Sequence, residues 1–406
     1  MCTTQSQGAA AAAAAGAAGA ARAAGAAAPG PASGAGGRGS APSPAPARLS
    51  WPERHVLTAA EDHALGRLVL QKFFGFNELS PHEREALRTE LARHGGLYTE
   101  DMVESVRKVL HRSATLRARE TIHSAVWVRE HYTGRRGCVK ALCQQFLVPP
   151  LEVVRAVLPP LYRPLTTRLA VGLVENMVRE HARQPCTGEF PPEFMERVHR
   201  SYVERLKGRG SGSGALRAVR GLRFREADCY EFVWALMNDY QGQSLPSARK
   251  EVDVQFECGL ADWFEGRGVG GVVREEDLVR RWRESGRERC ATPDLVFLDP
   301  EDPESRAVEL DVAPRARVGG GGGGGGAPPA AHRLHWVDVK NMYFTSCGGD
   351  WRSEQMLGVA RKYADLWGPG GIVFTNGYAE PIVDKLKEFG VCALDGSAVF
   401  AEQGGQ

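Results

Sequence analysis

"HRLHWVDVKNMYF" occupies residues 332–344. Read as a strand with period two, it puts Trp336, Asp338 and Lys340 on one face and sends Val337 and Val339 into a core. An acid and a lysine side by side on an otherwise apolar strand admit two readings. They neutralise each other on a solvent face, where such pairs contribute little, or they share a chemical task.

Working outward, a second strand opens at "TPDLVF", residues 292–297. Pro293 is tolerated at a strand start because no ladder donor is needed there. Asp294 follows it, with Leu295 and Phe297 facing the opposite way. Pro-Asp occurs once in the chain, and of the nine lysines only Lys340 has an acid two residues before it. Two carboxylates from neighbouring strands can together hold a hard cation such as Mg²⁺ or Mn²⁺, which favours oxygen ligands, water and substrate phosphate. A metal held there would polarise a scissile phosphate and help deprotonate an attacking water. Lys340 would orient that water or stabilise charge growing on phosphorus. Glu257, in "VQFECGLADWF", is a third acid, placed to hydrogen-bond a metal-bound water or to complete the metal's shell.

The surrounding pattern is that of an α/β domain. Short apolar runs at 269–273, 294–298, 334–339, 370–374 and 390–394 alternate with helical segments at 250–265, 275–285, 353–367 and 380–389, which gives about five strands. "ELD" at 309–311 has no lysine after it and reads as a solvated loop. His332 and His335 flank the lysine strand. His335 has the opposite parity to Asp338, which favours a structural histidine. Arg361 and Lys362 either touch a phosphodiester backbone or belong to a generic charged helix face.

Before this domain, residues 51–240 are helical in period nearly throughout. "RGCVKALCQQFLVPPLEVVRAVL" (136–158) reads as helix, turn at Pro149–Pro150, helix. Its second helix offers only Arg155 in its first half, so a two-helix packing unit is preferred over a base-reading module. Residues 1–50 are Ala, Gly, Pro and Ser with almost nothing to bury, and are expected to be disordered. Arg22, Arg38 and Arg48 with no acid before Glu53 also match an organelle transit peptide, but the plain low-complexity tail is preferred. The poly-Gly run inside 315–331 is an insert between strands, not a domain boundary.

Composition sets outer limits. The 406 residues carry a net charge of +2, so any nucleic-acid surface must be local. Arginine supplies 42 of the 51 basic residues; a GC-rich coding bias explains this better than phosphate binding. No apolar run reaches the ~18–20 residues that span a bilayer, so no transmembrane helix and no membrane partner is expected. Nine cysteines without a CxxC pair read as reduced thiols in a nuclear or cytoplasmic protein, and a zinc site lacks paired ligands.

The Pro-Asp … Asp-x-Lys arrangement resembles the PD-(D/E)XK nuclease superfamily. More closely, "EEDLVRRW" at 275–282, "TPDLVF" at 292–297, "HWVDVKN" at 335–341 and "WGPGGIVFTNGY" at 367–378 resemble the codanin-interacting nuclease family, over roughly 250–395. The resemblance implies a restriction-endonuclease-like domain over 248–400 after helix-turn-helix-like segments. It also implies a Mg²⁺-dependent nuclease acting on DNA or structured nucleic acid, and a codanin-like protein partner. Carried over by residue, Asp294, Asp338 and the Val339 carbonyl would hold metal, Lys340 would be the catalytic lysine, and Glu257 the helix glutamate, with Glu251 as fallback. Gln355 and Tyr363 match a glutamine and a tyrosine on the helix after the lysine strand, as nucleic-acid contacts. The chain departs from the family after the lysine, reading "NMYFTSCGGD" with Asp350 displaced. A nuclease-fold scaffold for protein partners, and a helix-turn-helix DNA-binding protein, are the alternative functions.

Overall fold

In the computed structural model, residues 48–240, 246–284, 286, 291–298, 307–312 and 330–404 are described. They belong to one unit, Pro46–Gln406, of mixed α/β architecture. Its centre is a five-stranded mixed sheet in the order β10-β8-β7-β4-β3. The strands are β3 (Val272–Arg274), β4 (Leu295–Phe297), β7 (Trp336–Lys340), β8 (Gly370–Phe374) and β10 (Val391–Asp395). β7, β8 and β10 run parallel, and β4 and β3 add antiparallel at the other side. Parallel strands buried on both faces favour apolar residues throughout, and this is how "GGIVF" and "VCALD" read.

The two faces carry separate cores. Leu295, Phe297, Val337, Val339 and Val373 pack with Leu260 and Phe264 of helix Pro246–Gly266. Val296, Trp336, Ile372 and Phe374 pack with Met356 and Ala360 of helix Asp350–Trp367. One expectation changes here. Val337 and Val339 enter a core as the alternation requires, but Trp336 and Asp338 are equally buried, because a helix layer covers each face.

Residues 48–57 correct a second expectation. Residues 48–50 were assigned to the disordered tail and 51–57 to the helical region, yet they form β1 (Arg48–Trp51) and β2 (Val56–Leu57). β1 lies parallel to β5 (Val308–Val312), which also pairs antiparallel with β6 (Ala330–Leu334). β2 lies parallel to β9 (Tyr378–Ala379). "ELD" is therefore strand β5 and not a solvated loop: Leu310 is fully buried, and Asp311 pairs with Arg48 at 2.6 Å. Of the expected insert, 330–331 belong to β6, and residues 313–329, like 1–47, lie outside the described residues.

Between the strands from 59 to 240 the chain is helical, as its period requires. Helix Ala59–Leu68 starts in a capping box made by Thr58 and Glu61, and helix Pro81–Arg93 in one made by Ser80 and Glu83. Helices Cys138–Phe146 and Pro150–Leu161 turn through 115° about the left-handed Leu147. Leu151, Val153, Val154, Val157 and Leu158 of the second are all buried, and Arg155 pairs with Glu152. A recognition helix needs an exposed face for base edges, and this one has its side chains in a core. No single described helix is long and apolar enough to cross a membrane.

The loop after Lys340 joins the helical half to the sheet. Tyr343 is fully buried and its hydroxyl donates to Asp62 Oδ1 at 3.0 Å, while Ser346 donates to Asp62 Oδ2 from its amide (2.9 Å) and its hydroxyl (2.6 Å). The Tyr343 amide donates to Ser105 Oγ on helix Glu100–Ile122. "NMYFTSC" is thus an internal splice, and each buried polar group in it finds a partner.

Candidate metal-and-lysine site

Strand register brings the acids together. The β4–β7 ladder pairs Leu295 with Val337 and Val296 with Trp336, so one further step sets Asp294 across from Asp338. Asp294 closes that step with its side chain: Oδ2 accepts the Val339 amide at 2.6 Å. The Thr-Pro-Asp segment fixes this end of the strand. The Thr292 hydroxyl donates to Glu275 Oε1 (2.6 Å), and its carbonyl accepts from the Tyr363 hydroxyl (2.8 Å). The Asp294 carbonyl accepts the Glu275 amide at 2.9 Å. Tyr363 also packs edge-on against Trp336, whose indole N–H reaches the Gly368 carbonyl at 2.8 Å.

The pairing of Asp338 with Lys340 is real, but it is not a surface salt bridge. Asp338 is 1% exposed, and Lys340 Nζ contacts its Oδ2 from a side chain that is 27% exposed. Apart from this ionic contact, Asp338 Oδ2 takes no hydrogen bond among the described residues. A buried carboxylate oxygen with a free acceptor direction is a feature that calls for a ligand or a cation.

A cleft of about 340 Å³ opens beside the pair, lined by Asp253, Glu257, Asp294, Val339, Lys340 and Asn341. Burial, then the neighbouring Asp338 charge, pushes the Asp294 carboxyl well above the usual carboxylate range, against the pull of Lys340. Burial, then Glu275 and Asp253, raises Glu257 as well. Burial alone would lower the Lys340 ammonium, but Asp338 and Asp294 outweigh it and raise its pKa. Lys340 is therefore a cation at neutral pH, held against acids that exceed it in number.

Asp294, Lys340, Glu257 and Val339 line this cleft, while Asp338 is buried next to it, in contact with Lys340 and outside the lining. Glu251 is exposed and does not line it; Asp253, half a turn on, does. Gln355 is exposed, whereas Tyr363 is half-buried against the site's Thr292. The two do not share a face of their helix. Eight residues advance a helix by about 80° beyond two full turns, and the buried row of this helix runs through Ser353, Met356 and Ala360. Arg361 and Lys362 are exposed on the same helix. Asp350 opens it, its side chain lying outside the described residues. His332 is half-buried on β6, where burial lowers its pKa, and His335 sits at the bend between β6 and β7 with its main chain bonded to Pro369 and Phe297.

Two residues were missed. Asp253 lies one turn before Glu257, the spacing that puts two helical side chains on one face, and this signal was present in the sequence. Asn341 donates to Asp253 Oδ1 (3.1 Å) and accepts from Thr375 (3.3 Å), a role that follows only from the fold.

Among the described residues no three His, Cys, Asp or Glu side chains converge tightly enough to hold a metal by themselves. Mg²⁺ does not demand such a cage: one or two carboxylates suffice, with water and substrate phosphate completing the octahedron. Asp294, Asp338 with an Oδ2 met only by Lys340, and the Val339 carbonyl fit that lighter requirement. Comparisons with protein-family models, with curated proteins and with solved structures return no match for this chain.

Proposed function

We propose that the chain is a divalent-metal-dependent nuclease of the PD-(D/E)XK type, hydrolysing phosphodiester bonds of DNA or structured nucleic acid. The observation that carries this is the juxtaposition of half-buried Asp294 and buried Asp338 across β4 and β7, with Lys340 lining an open acidic cleft beside them. Mg²⁺ bound there would supply Lewis-acid polarisation of a phosphate oxygen. Asp294 and Asp338, with the Val339 carbonyl, hold and orient the site. Lys340 offers N–H donors where negative charge develops on phosphorus. Glu257, whose pKa burial and the neighbouring acids raise, is placed to accept or return a proton from water in the cleft. A protein partner of the codanin kind belongs to the same reading through the resemblance of 250–395, as does a nuclear or cytoplasmic location.

The test is cleavage of single-stranded, duplex and branched DNA in Mg²⁺ or Mn²⁺, beside Asp338→Asn and Lys340→Ala. Loss of activity by at least about 100-fold in both variants is expected, the scale of removing one charge-stabilising group. Equal inertness of wild type and variants would remove the enzyme. A second reading, a nuclease-fold scaffold for a protein partner, is favoured by one observation: Lys340 already neutralises Asp338 without a metal. Calorimetric titration with Mn²⁺ separates the two, since the scaffold takes up no ion.

A further inference from the structure

A second site lies far along the chain from the acids, in the helical half. A cleft of about 860 Å³ opens between helices Thr167–Arg183, Pro191–Gly208 and Ser213–Arg220. Arg168, Arg205, Arg209 and Arg217 line it, with Glu175 as its only acid. None of the four arginines forms an ion pair among the described residues, whereas Arg183 and Arg197 on the same two helices do. Their charges act on one another: burial, then Arg179 and Arg209, lowers the pKa of Arg205. Uncompensated guanidiniums gathered in a concave surface raise the local positive potential even on a chain of net charge +2.

The sequence repeats the signal. From Arg205 to Arg225 there are seven basic residues and no acid, interrupted by "GRGSGSG". Gly208, Gly210, Gly212 and Gly214 face open space, so this loop presents bare backbone at the rim of the cleft. The helix that follows starts at Gly212 with no side-chain cap, leaving its first amides for a ligand.

We propose that this cleft binds the phosphodiester backbone of a nucleic-acid strand, as a site separate from the acid-and-lysine cleft. Guanidinium forks match phosphate oxygens in pairs. Three of them, one on each helix, and Arg209 in the loop between two of those helices span several phosphates and not a single small anion. That the polyanion is nucleic acid, and not an acidic protein, rests on the nuclease reading above.

The experiment measures binding of fluorescein-labelled single-stranded and duplex DNA by anisotropy, in EDTA, across a salt series. EDTA removes metal and cleavage from the readout, so inertness in the nuclease assay and failure here are separate results. Arg168, Arg209 and Arg217 are exposed and unpaired, so the triple Arg→Ala variant is expected to melt with wild type. Its salt slope should fall by about 2, and its affinity by roughly 10- to 100-fold at moderate salt, because each lost phosphate contact removes about 0.7–0.9 of slope. Arg209→Glu alone, in the loop, should weaken binding in the same direction and guards against misfolding of the triple variant. The proposal is overturned if the triple variant keeps the wild-type slope. It is also overturned if polyglutamate competes as well as unlabelled DNA at equal charge, or if a mononucleotide displaces the strand at equal phosphate.

Discussion

Asp294 is an acid whose native surroundings favour its proton. Burial beside Asp338 raises its pKa above that of an unfolded aspartate. Where pH lies between the two values, the unfolded chain has lost a proton that the folded chain keeps. Stability of the metal-free protein then falls as pH rises through that window. Asp294→Asn keeps an acceptor for the Val339 amide and removes the charge, so it should stabilise the metal-free protein, and more at pH 8 than at pH 5. Each unit of pKa elevation relieved is worth about 1.4 kcal/mol, and urea melts in EDTA at the two pH values read it. If Mg²⁺ binds as proposed it must displace the same proton, so the rise in melting temperature on adding Mg²⁺ should be larger at pH 8 than at pH 6. It should vanish in Asp338→Asn. Lys340→Met should cost about 3–5 kcal/mol by leaving Asp338 buried without its cation. The double variant Lys340→Met/Asp338→Asn should recover most of that loss in the same melts.

At the scale of elements, the site depends on how β7 is held by its neighbours. Trp336 lies flat over Gly370 on β8; a Cβ at 370 would stand 2.1 Å from Trp336 Cε2. Gly370→Ala should therefore push the indole off its place, break its bond to Gly368 and shift the β7–β8 register. A loss of about 1–3 kcal/mol is expected from overpacking, read by thermal melts together with quenching of Trp fluorescence. β4, β7, β8 and β10 were legible in the sequence because each is a short apolar run flanked by a turn or a helix. Asp294 and Asp338 were legible because Pro-Asp and Asp-x-Lys each sit on such a run. β5 and β6 were not legible: the residues between them are glycine-rich, and Glu309 and Asp311 alternate with apolar neighbours in too short a stretch. β1 and β2 carry no local signal at all, since "RLSW" and "VL" become strands only through partners supplied from 308–312 and 378–379. Asn341 escaped for the same reason, as its role is set by contacts and not by spacing.

At the scale of the molecule, the helical half and the sheet lie in one compact unit. Asp62 is fully buried and is satisfied by Tyr343 and Ser346, and the Trp51 indole donates to the Asp395 carbonyl at 2.9 Å. The Arg54 and His55 amides both reach Asp395 Oδ2 at 2.6 Å. A fragment spanning 248–406 would lose β1, β2 and these donors, leaving Asp395 buried with a carboxylate oxygen unmet. It is expected not to give a cooperative urea transition, whereas 46–406 should give a single one by both far-ultraviolet dichroism and tryptophan fluorescence.

The strap Arg48–Leu57 also sets a clock. Its contacts with Asp395 lie 340 to 344 residues away along the chain. At a synthesis rate of about 5–20 residues per second, those partners leave the ribosome tens of seconds after the strap does. During that interval β1 and β2 are unpaired strand edges, the kind of surface that chaperones shield. The acids wait less, for β7 is flanked by β8 and β8 by β10, and the sheet is complete once β10 has been made. Asp294 and Asp338 precede Asp395 by 101 and 57 residues, so at the same rate they stay unburied for only about 3 to 20 seconds.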